Sequence, residues 1–189
     1  MLGMRTIILL LVIALASQAT AGVTIHYEGT AASPSAVAKI IEVVTAAAKK
    51  NKWTIEDTSA KRGRLLRVID EKNKDYEGKV TGVVIRIGGN CEPLHFQFGD
   101  DLFMQDFVKT QFAGADVHIQ IVEMLESIRP FVKQLTVGDE GEFWGKRDRA
   151  ILEGHIQKIN SVIADMKKKN PKARVAVRLE SGRVADVIQ

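Results

Sequence analysis

Residues 33–52 carry the clearest structural pattern in the chain and read SPSAVAKIIEVVTAAAKKNK. Ser33 is suited to accept a hydrogen bond from the free amides of a helix start, and Pro34 suits the first helical position. The apolar residues that follow recur at helical spacing: Val37, Ile40, Ile41, Val44, Ala47 and Ala48. We therefore predict an amphipathic helix whose single apolar stripe packs on a sheet or on another helix.

Segments that alternate apolar and polar side chains flank this helix. Residues 23–27 alternate before it, small residues at 28–32 predict a loop, and residues 53–58 alternate after it. Alternation with a period of two is typical of a half-buried strand. The mature chain after residue 21 is therefore expected to open with a strand, a helix and a second strand.

The rest of the chain adds further strands and two long helices. The predicted strands lie at 65–69, 80–87, 94–98, 134–137, 174–180 and 184–188, with a short strand or turn at 102–104, and the predicted helices lie at 115–129 and 148–168. We expect the polar stretch 70–79 to be a solvated hairpin connection, and Pro130 to end or kink the helix before it.

This order of elements predicts the fold class. Strands grouped together with helices segregated around them favour an α+β fold with a mostly antiparallel sheet and about three helices. Ser181-Gly182 is expected to be the turn of a C-terminal β-hairpin, and a ferredoxin-like elaboration is compatible with the order. No break in composition divides residues 22–189, which predicts a single domain.

The N-terminal segment predicts export. Arg5 precedes ten apolar residues at 7–16, and Ala19-Thr20-Ala21 supplies the small residues of a signal-peptidase site. A bilayer-spanning helix needs about 20 apolar residues, so no stable membrane anchor is expected. We predict a cleaved signal peptide over residues 1–21 and a periplasmic or secreted mature chain; the alternative is a buried core helix.

Composition and charge exclude several classes of protein. The chain is 46% hydrophobic and 26% charged, which is the balance of a globular protein and not of a disordered, fibrous or multi-span membrane protein. Loss of residues 1–21 lowers the formal charge from +4 to +3, too little to indicate a nucleic-acid partner. The glycine-rich nucleotide motifs and the Gly-x-Ser-x-Gly motif are missing, so we expect no cofactor.

The stretch 88–95 contains the parts of a nucleophilic site. Cys91, the single cysteine, has His95 nearby in the sequence, and His118 is a second candidate base. A catalytic thiol would use one of these imidazoles, with Glu92 as a further polar group. The alternatives are a buried, inert thiol, a cysteine paired with another chain, and a solvent-facing strand position for His95.

Two other polar segments are candidate ligand sites. Lys109, Thr110 and Gln111 precede a predicted helix start, where an anion is favoured, although they could equally cap the chain locally. Glu140, Glu142 and Trp144 lie in an acidic and aromatic stretch suited to a cation or a sugar. The alternative is a solvated turn whose aromatic side chains fold back on the core. The four histidines lack metal-ligand spacing, so no metal site is assigned.

These observations favour an exported, non-catalytic domain that binds a small molecule or a protein partner. A thiol-type hydrolase or transferase built on Cys91 and a histidine base is the second hypothesis, and a metal-binding module using His95, His118 and nearby acids is the third. Neither the ligand nor the oligomeric state follows from the sequence.

Overall fold

The computed structural model describes residues 23–59, 61–89, 91–179 and 183–188. In this part of the chain the strands are β1 (Thr24–Ala31), β2 (Thr54–Asp57), β3 (Lys61–Leu65), β4 (Val68–Ile69), β5 (Lys72–Asn73), β6 (Tyr76–Arg86), β7 (Leu94–Phe98), β8 (Phe103–Lys109), β9 (Val132–Asp139), β10 (Arg174–Arg178) and β11 (Val184–Ile188). The α-helices are α1 (Pro34–Lys50), α2 (Ala115–Ile128), α3 (Phe143–Lys146) and α4 (Arg149–Lys169). The predicted signal peptide lies outside the described residues and stays a prediction.

The first helix forms as its sequence predicts. Ser33 Oγ accepts a hydrogen bond from Ala36 N at 3.1 Å, and Pro34 occupies the start of α1. The apolar stripe, including Val37, Ile40 and Val44, is buried. This stripe packs on α2 and on strands β1, β2 and β6, so helix α1 joins the helical layer to both sheets.

Two antiparallel sheets carry most of the strands. In the first sheet, β1 lies between β8 and β9. In the second, the long strand β6 pairs with β2 and β3 along one edge and with β7 along the other. Strands β7 and β8 contact each other where the two sheets meet. The prediction of an α+β fold with mostly antiparallel pairing is confirmed.

Strand β1 is longer than its sequence suggests. Residues 28–32 predict a loop, but the strand continues to Ala31 because it is paired on both sides. Gly29 is required for this pairing, since a Cβ atom there would lie 2.8 Å from the backbone oxygen of Gln134. The glycine that resembled a loop signal instead allows two strands to approach each other closely.

The polar stretch 70–79 is also not a simple connection. It contains β5, which pairs with β4, and the first residues of β6, which pair with β3. We call residues 61–75 the arm. The arm is exposed along most of its length, so its strands lack the apolar alternation on which the sequence-based prediction depended.

The helices α2 and α4 confirm the two long predicted helices, and Pro130 lies in a 3-10 turn directly after α2. Asp148 caps α4 through its side chain, which accepts hydrogen bonds from Ala150 N and Ile151 N. The short helix α3 raises the number of described α-helices to four, one more than expected. Within the described residues, no helix combines the length and the apolar character needed to span a membrane.

The C-terminal β-hairpin, β10 and β11, is confirmed as a separate two-stranded unit. It docks on the body of the protein through side chains. Arg178 donates to the backbone oxygens of Gly89 and Cys91, each at 2.9 Å. Val184 N donates to Glu92 Oε1 at 2.8 Å. These contacts hold the hairpin beside strand β8.

Candidate functional site

An open groove with a volume of about 1100 Å³ lies on the outer face of the sheet formed by β8, β1 and β9. The arm forms one wall, and the C-terminal hairpin contributes Arg183 at its margin. The lining residues are His26, Tyr27, Glu28, Arg64, Leu65, Leu66, Arg67, Val68, Asn73, Asp75, His95, Gln97, Gln105, Asp106, Phe107, Thr136, Gly138 and Arg183.

A buried arginine fixes the arm to the body of the protein. Arg67 is only 4% exposed, and its guanidinium donates to both carboxylate oxygens of Asp101, at 2.5 and 3.1 Å, and to the backbone oxygen of Phe103 at 2.8 Å. The same group lies about 5 Å from the ring centres of Tyr76 and Phe103. Bidentate pairing combined with ring stacking holds a guanidinium in one orientation.

Gln105 attaches the arm at a second point. Its side-chain amide accepts from Val68 N at 2.7 Å and donates to Val68 O at 2.9 Å. The Gln105 Nε2 atom also donates to Glu28 Oε2 at 2.6 Å. The amide thus pairs with one residue of the arm much as a neighbouring strand would, and it places β4 over the sheet.

The arm exposes apolar side chains to the groove. Arg67 is buried, whereas its neighbours Leu66 and Val68 remain 73% and 55% exposed and line the groove. Phe107 on the groove floor is 37% exposed. Exposed large apolar residues that gather in one concave surface are typical of a binding site.

A charged cluster lies at the other end of the groove. His95 Nδ1 is 2.5 Å from Asp106 Oδ2, and Arg183 donates to Asp106 Oδ1 at 2.5 Å. Burial by itself would raise the pKa of Asp106, but its hydrogen bond and electrostatic interaction with His95, together with the positive charge of Arg183, lower it below its usual value. Asp106 is therefore a carboxylate at neutral pH.

Tyr27 fixes the backbone of His95 from beneath. Its hydroxyl accepts from His95 N at 3.1 Å and donates to His95 O at 3.2 Å. Burial raises the pKa of Tyr27 well above its usual value, and the negative charge of Asp106 raises it further. The phenol therefore stays neutral and acts as both donor and acceptor.

Arg183 joins the C-terminal hairpin to the groove floor. Its guanidinium lies 3.8 Å from the ring centre of Phe107 and donates to the Phe107 backbone oxygen at 2.6 Å. The ring of His26 also lies beside Phe107, with its centre 5.6 Å away and its plane tilted by 31°. Arg183 and His26 thus both contact the Phe107 ring at the groove floor.

Cys91 is buried, as one of the alternatives predicted. The side chain packs in the hydrophobic core, and its thiol donates to the backbone oxygen of Lys109. Burial raises the pKa of Cys91 to about 12, and the neighbouring Glu92 carboxylate contributes in the same direction. A nucleophile must be a thiolate, so this environment works against the predicted catalytic role. Both candidate bases are paired with carboxylates, His95 with Asp106 and His118 with Asp139.

This environment predicts a slow thiol. We expect iodoacetamide to modify Cys91 of the folded protein at pH 7.5 at least about 100-fold more slowly than the same cysteine in guanidinium chloride, because burial restricts both access and ionisation. Mass spectrometry of quenched samples measures both rates. Equal rates in the folded and unfolded chain would contradict the buried position and restore the hypothesis of a reactive thiol.

Glu92 and Lys109, both predicted as ligand contacts, instead bind the C-terminal hairpin. Glu92 is almost fully buried, and its Oε2 accepts from Lys109 N at 2.9 Å while its Oε1 accepts from Val184 N. Lys109 Nζ donates to Val184 O at 3.3 Å. These side chains connect the end of β8 to β11.

Gln111 and Glu140 hold the start of β1. Gln111 Oε1 accepts from Val23 N at 2.8 Å, and Glu140 Oε2 accepts from Thr24 N at 2.9 Å. Glu140 N also donates to Thr24 O at 3.1 Å. The two side chains satisfy backbone donors at the point where the described fold begins.

Thr110 and His118 form a buried polar cluster with Asp139. The Thr110 hydroxyl lies 3.0 Å from Val23 O and 2.8 Å from His118 Nδ1. His118 Nε2 lies 3.1 Å from Asp139 Oδ1, at ion-pair distance but without good hydrogen-bond alignment. Thr110 and His118 are inaccessible to solvent, so the cluster braces the core and offers no surface to a ligand.

Glu142 and Trp144 lie on the surface but are occupied by neighbours. Glu142 Oε2 is 2.8 Å from His155 Nε2, and its Oε1 is 3.0 Å from Lys146 Nζ. The guanidinium groups of Arg129 and Arg147 cover the Trp144 ring at about 5 Å. The predicted sugar-stacking surface is therefore filled by side chains of the protein itself.

Of the predicted site residues, the groove contains only His95. The residues that sequence reasoning missed are Leu66, Arg67, Val68, Asp106, Phe107 and Arg183. The sequence holds one signal for the arm residues. In Leu66-Arg67-Val68 an arginine lies between two apolar residues, and if the arginine is buried, the apolar side chains are left exposed. The pairing of His95 with Asp106 has no such signal, since it depends on how β7 and β8, which belong to different sheets, lie against each other.

Comparison with known proteins assigns no relative: no family model, no curated protein and no solved structure matches the chain. Across the described ranges, no three His, Cys, Asp or Glu side chains are arranged to hold a metal ion. The groove is therefore the feature of the molecule that points to a function.

Proposed function

We propose that this chain is an exported binding module whose groove holds a ligand with an apolar body. One observation carries the proposal: Leu66, Val68 and Phe107 are exposed, and all three line the same groove. The pattern of residues 1–21 supports export.

The free energy of binding would come mainly from covering these side chains. Burial of apolar surface is worth about 25 cal/mol per Å², and a ligand lying between the arm and the floor would cover Leu66 and Phe107 together. The groove is large enough for a drug-sized molecule, since pockets for such ligands measure roughly 300–1000 Å³. The arm and the C-terminal hairpin are both fixed to the body of the protein, so the protein would lose little conformational entropy on binding.

N-phenyl-1-naphthylamine, an apolar fluorophore that brightens on leaving water, tests the proposal. We expect saturable binding to the mature protein and at least a tenfold loss of affinity in Leu66→Asp, because the charge would have to be buried against the probe. Met166→Asp is the control, since Met166 is also an exposed apolar residue but lies on α4, outside the groove. Equal binding by wild type and Leu66→Asp, or an equal loss in Met166→Asp, would contradict the proposal.

A further inference from the structure

His95 is the group at the polar end of the groove whose hydrogen-bonding capacity is only half used. Its side chain lines the groove and is 27% exposed. Nδ1 faces the nearly buried Asp106, and the Tyr27 hydroxyl holds the backbone of His95 at both N and O. The ring is therefore held in place from one edge, and the opposite edge, which carries Nε2, is the part left open to the groove.

The partner of Nδ1 determines which nitrogen carries the proton. Asp106 is a carboxylate that can only accept, and its other oxygen already receives a hydrogen bond from Arg183. A proton on Nδ1 satisfies the short contact with Asp106 Oδ2. In the neutral ring this leaves a lone pair on Nε2, which is therefore a hydrogen-bond acceptor.

Most of the charged and amide groups around the groove are engaged by neighbouring residues. Arg64 pairs with Asp75, Arg67 pairs with Asp101, and Gln97 donates to Thr58. Nε2 of His95, by contrast, has no hydrogen-bond partner among the residues that the structure describes. His95 lines the same groove as the exposed apolar side chains, and Arg183 contacts both Asp106 and the Phe107 ring, so a ligand on Phe107 would lie close to the His95–Asp106 pair.

We propose that His95, positioned by Asp106, makes the groove selective for apolar ligands that carry a hydroxyl or N–H donor. The inference rests on the proposed function and adds the chemical class of the ligand. A ligand of the same shape without a donor would leave Nε2 desolvated and unpaired, which weakens binding. The expected discrimination is about tenfold in affinity, the usual effect of one such hydrogen bond.

Two probes of nearly the same shape test this selectivity: 1-naphthalenemethanol, which has a hydroxyl donor, and its methyl ether, which has none. Affinities are measured by calorimetry at pH 8. We expect the wild type to bind the alcohol about tenfold more tightly, and His95→Phe to bind both probes equally. His155→Phe is the control, because His155 pairs with Glu142 away from the groove and its loss should leave the preference unchanged.

Asp106 is tested as a positioning residue by nitrogen-15 NMR of the His95 ring. We expect the wild type to show the Nδ1–H form, and Asp106→Asn to shift the ring toward the Nε2–H form with loss of the preference for the alcohol. Equal affinity of the wild type for alcohol and ether, or a preference that survives in His95→Phe, would overturn the inference while leaving the proposed function in place. Failure of the wild type to bind either probe would reject both.

Discussion

Replacing Asp139 by alanine is expected to lower the free energy of unfolding by about 3–5 kcal/mol, because it removes a buried carboxylate and leaves the N–H groups around it unpaired. Asp139 lies at the end of β9, and both carboxylate oxygens are used. Oδ1 accepts from Gly141 N at 2.7 Å and lies 3.1 Å from His118 Nε2, while Oδ2 accepts from Trp144 N at 2.8 Å. Alanine would leave these groups without their partner in a site closed to water.

The contribution of Asp139 to the free energy of unfolding should decrease at low pH. Burial alone would raise the pKa of Asp139, but the His118 ring and the two backbone N–H groups lower it below its usual value. A lowered pKa in the folded state stabilises the protein above the pKa of the unfolded chain, about 3.9, and this contribution is lost as pH falls through the lower folded value. The difference between wild type and Asp139→Ala should therefore narrow below about pH 4.

Urea denaturation followed by circular dichroism at pH 7 and pH 3 measures both effects. Asp165→Ala is the matched control, since Asp165 forms an exposed ion pair with Lys168 and should change stability by less than about 0.5 kcal/mol. A change below 1 kcal/mol in Asp139→Ala at pH 7 would show that the cluster does not stabilise the fold.

Replacing Arg67 by alanine is expected to release the arm and abolish groove binding while the rest of the fold stays intact. The substitution removes three hydrogen bonds to Asp101 and Phe103, and the stacking on two rings. We expect a loss of about 2–4 kcal/mol in the stability of the arm and at least a tenfold loss of affinity for N-phenyl-1-naphthylamine.

Hydrogen exchange of the amides at 61–75 measures the release, and fluorescence titration measures binding. Arg62→Ala is the control, because Arg62 lies exposed on the same arm and should have little effect on either. If the arm amides stay protected in Arg67→Ala, Gln105 and the pairing with β6 hold the arm without the arginine.

Elements that bury one face were predictable. The stripe of α1, its Ser33 cap and the alternation of β7 depend on local spacing, and all appear in the structure. The arm was not predictable in the same way, because strands exposed on both faces leave no apolar period. The length of β1 was missed because pairing on both sides overrides the local preference of Gly29.

The predicted site residues also show which features a local sequence pattern reveals and which it does not. Rare or reactive residue types drew attention to Cys91, His118 and Glu92, but the structure buries all three. Residue type does not report burial, and burial decides whether a thiol ionises or an imidazole meets a ligand. The groove is built mostly from ordinary residues such as Leu66 and Phe107, whose importance lies in their exposure.

The sequence by itself determined the α+β class, the long helices and the C-terminal hairpin, because each depends on contacts between near neighbours along the chain. Only the tertiary structure decided where a ligand would bind. The groove exists because Arg67 bonds to Asp101 and His95 pairs with Asp106; the first contact joins the arm to the turn before β8, and the second joins β7 to β8. Such contacts are set by strand register and sheet packing, which no local pattern of side chains records.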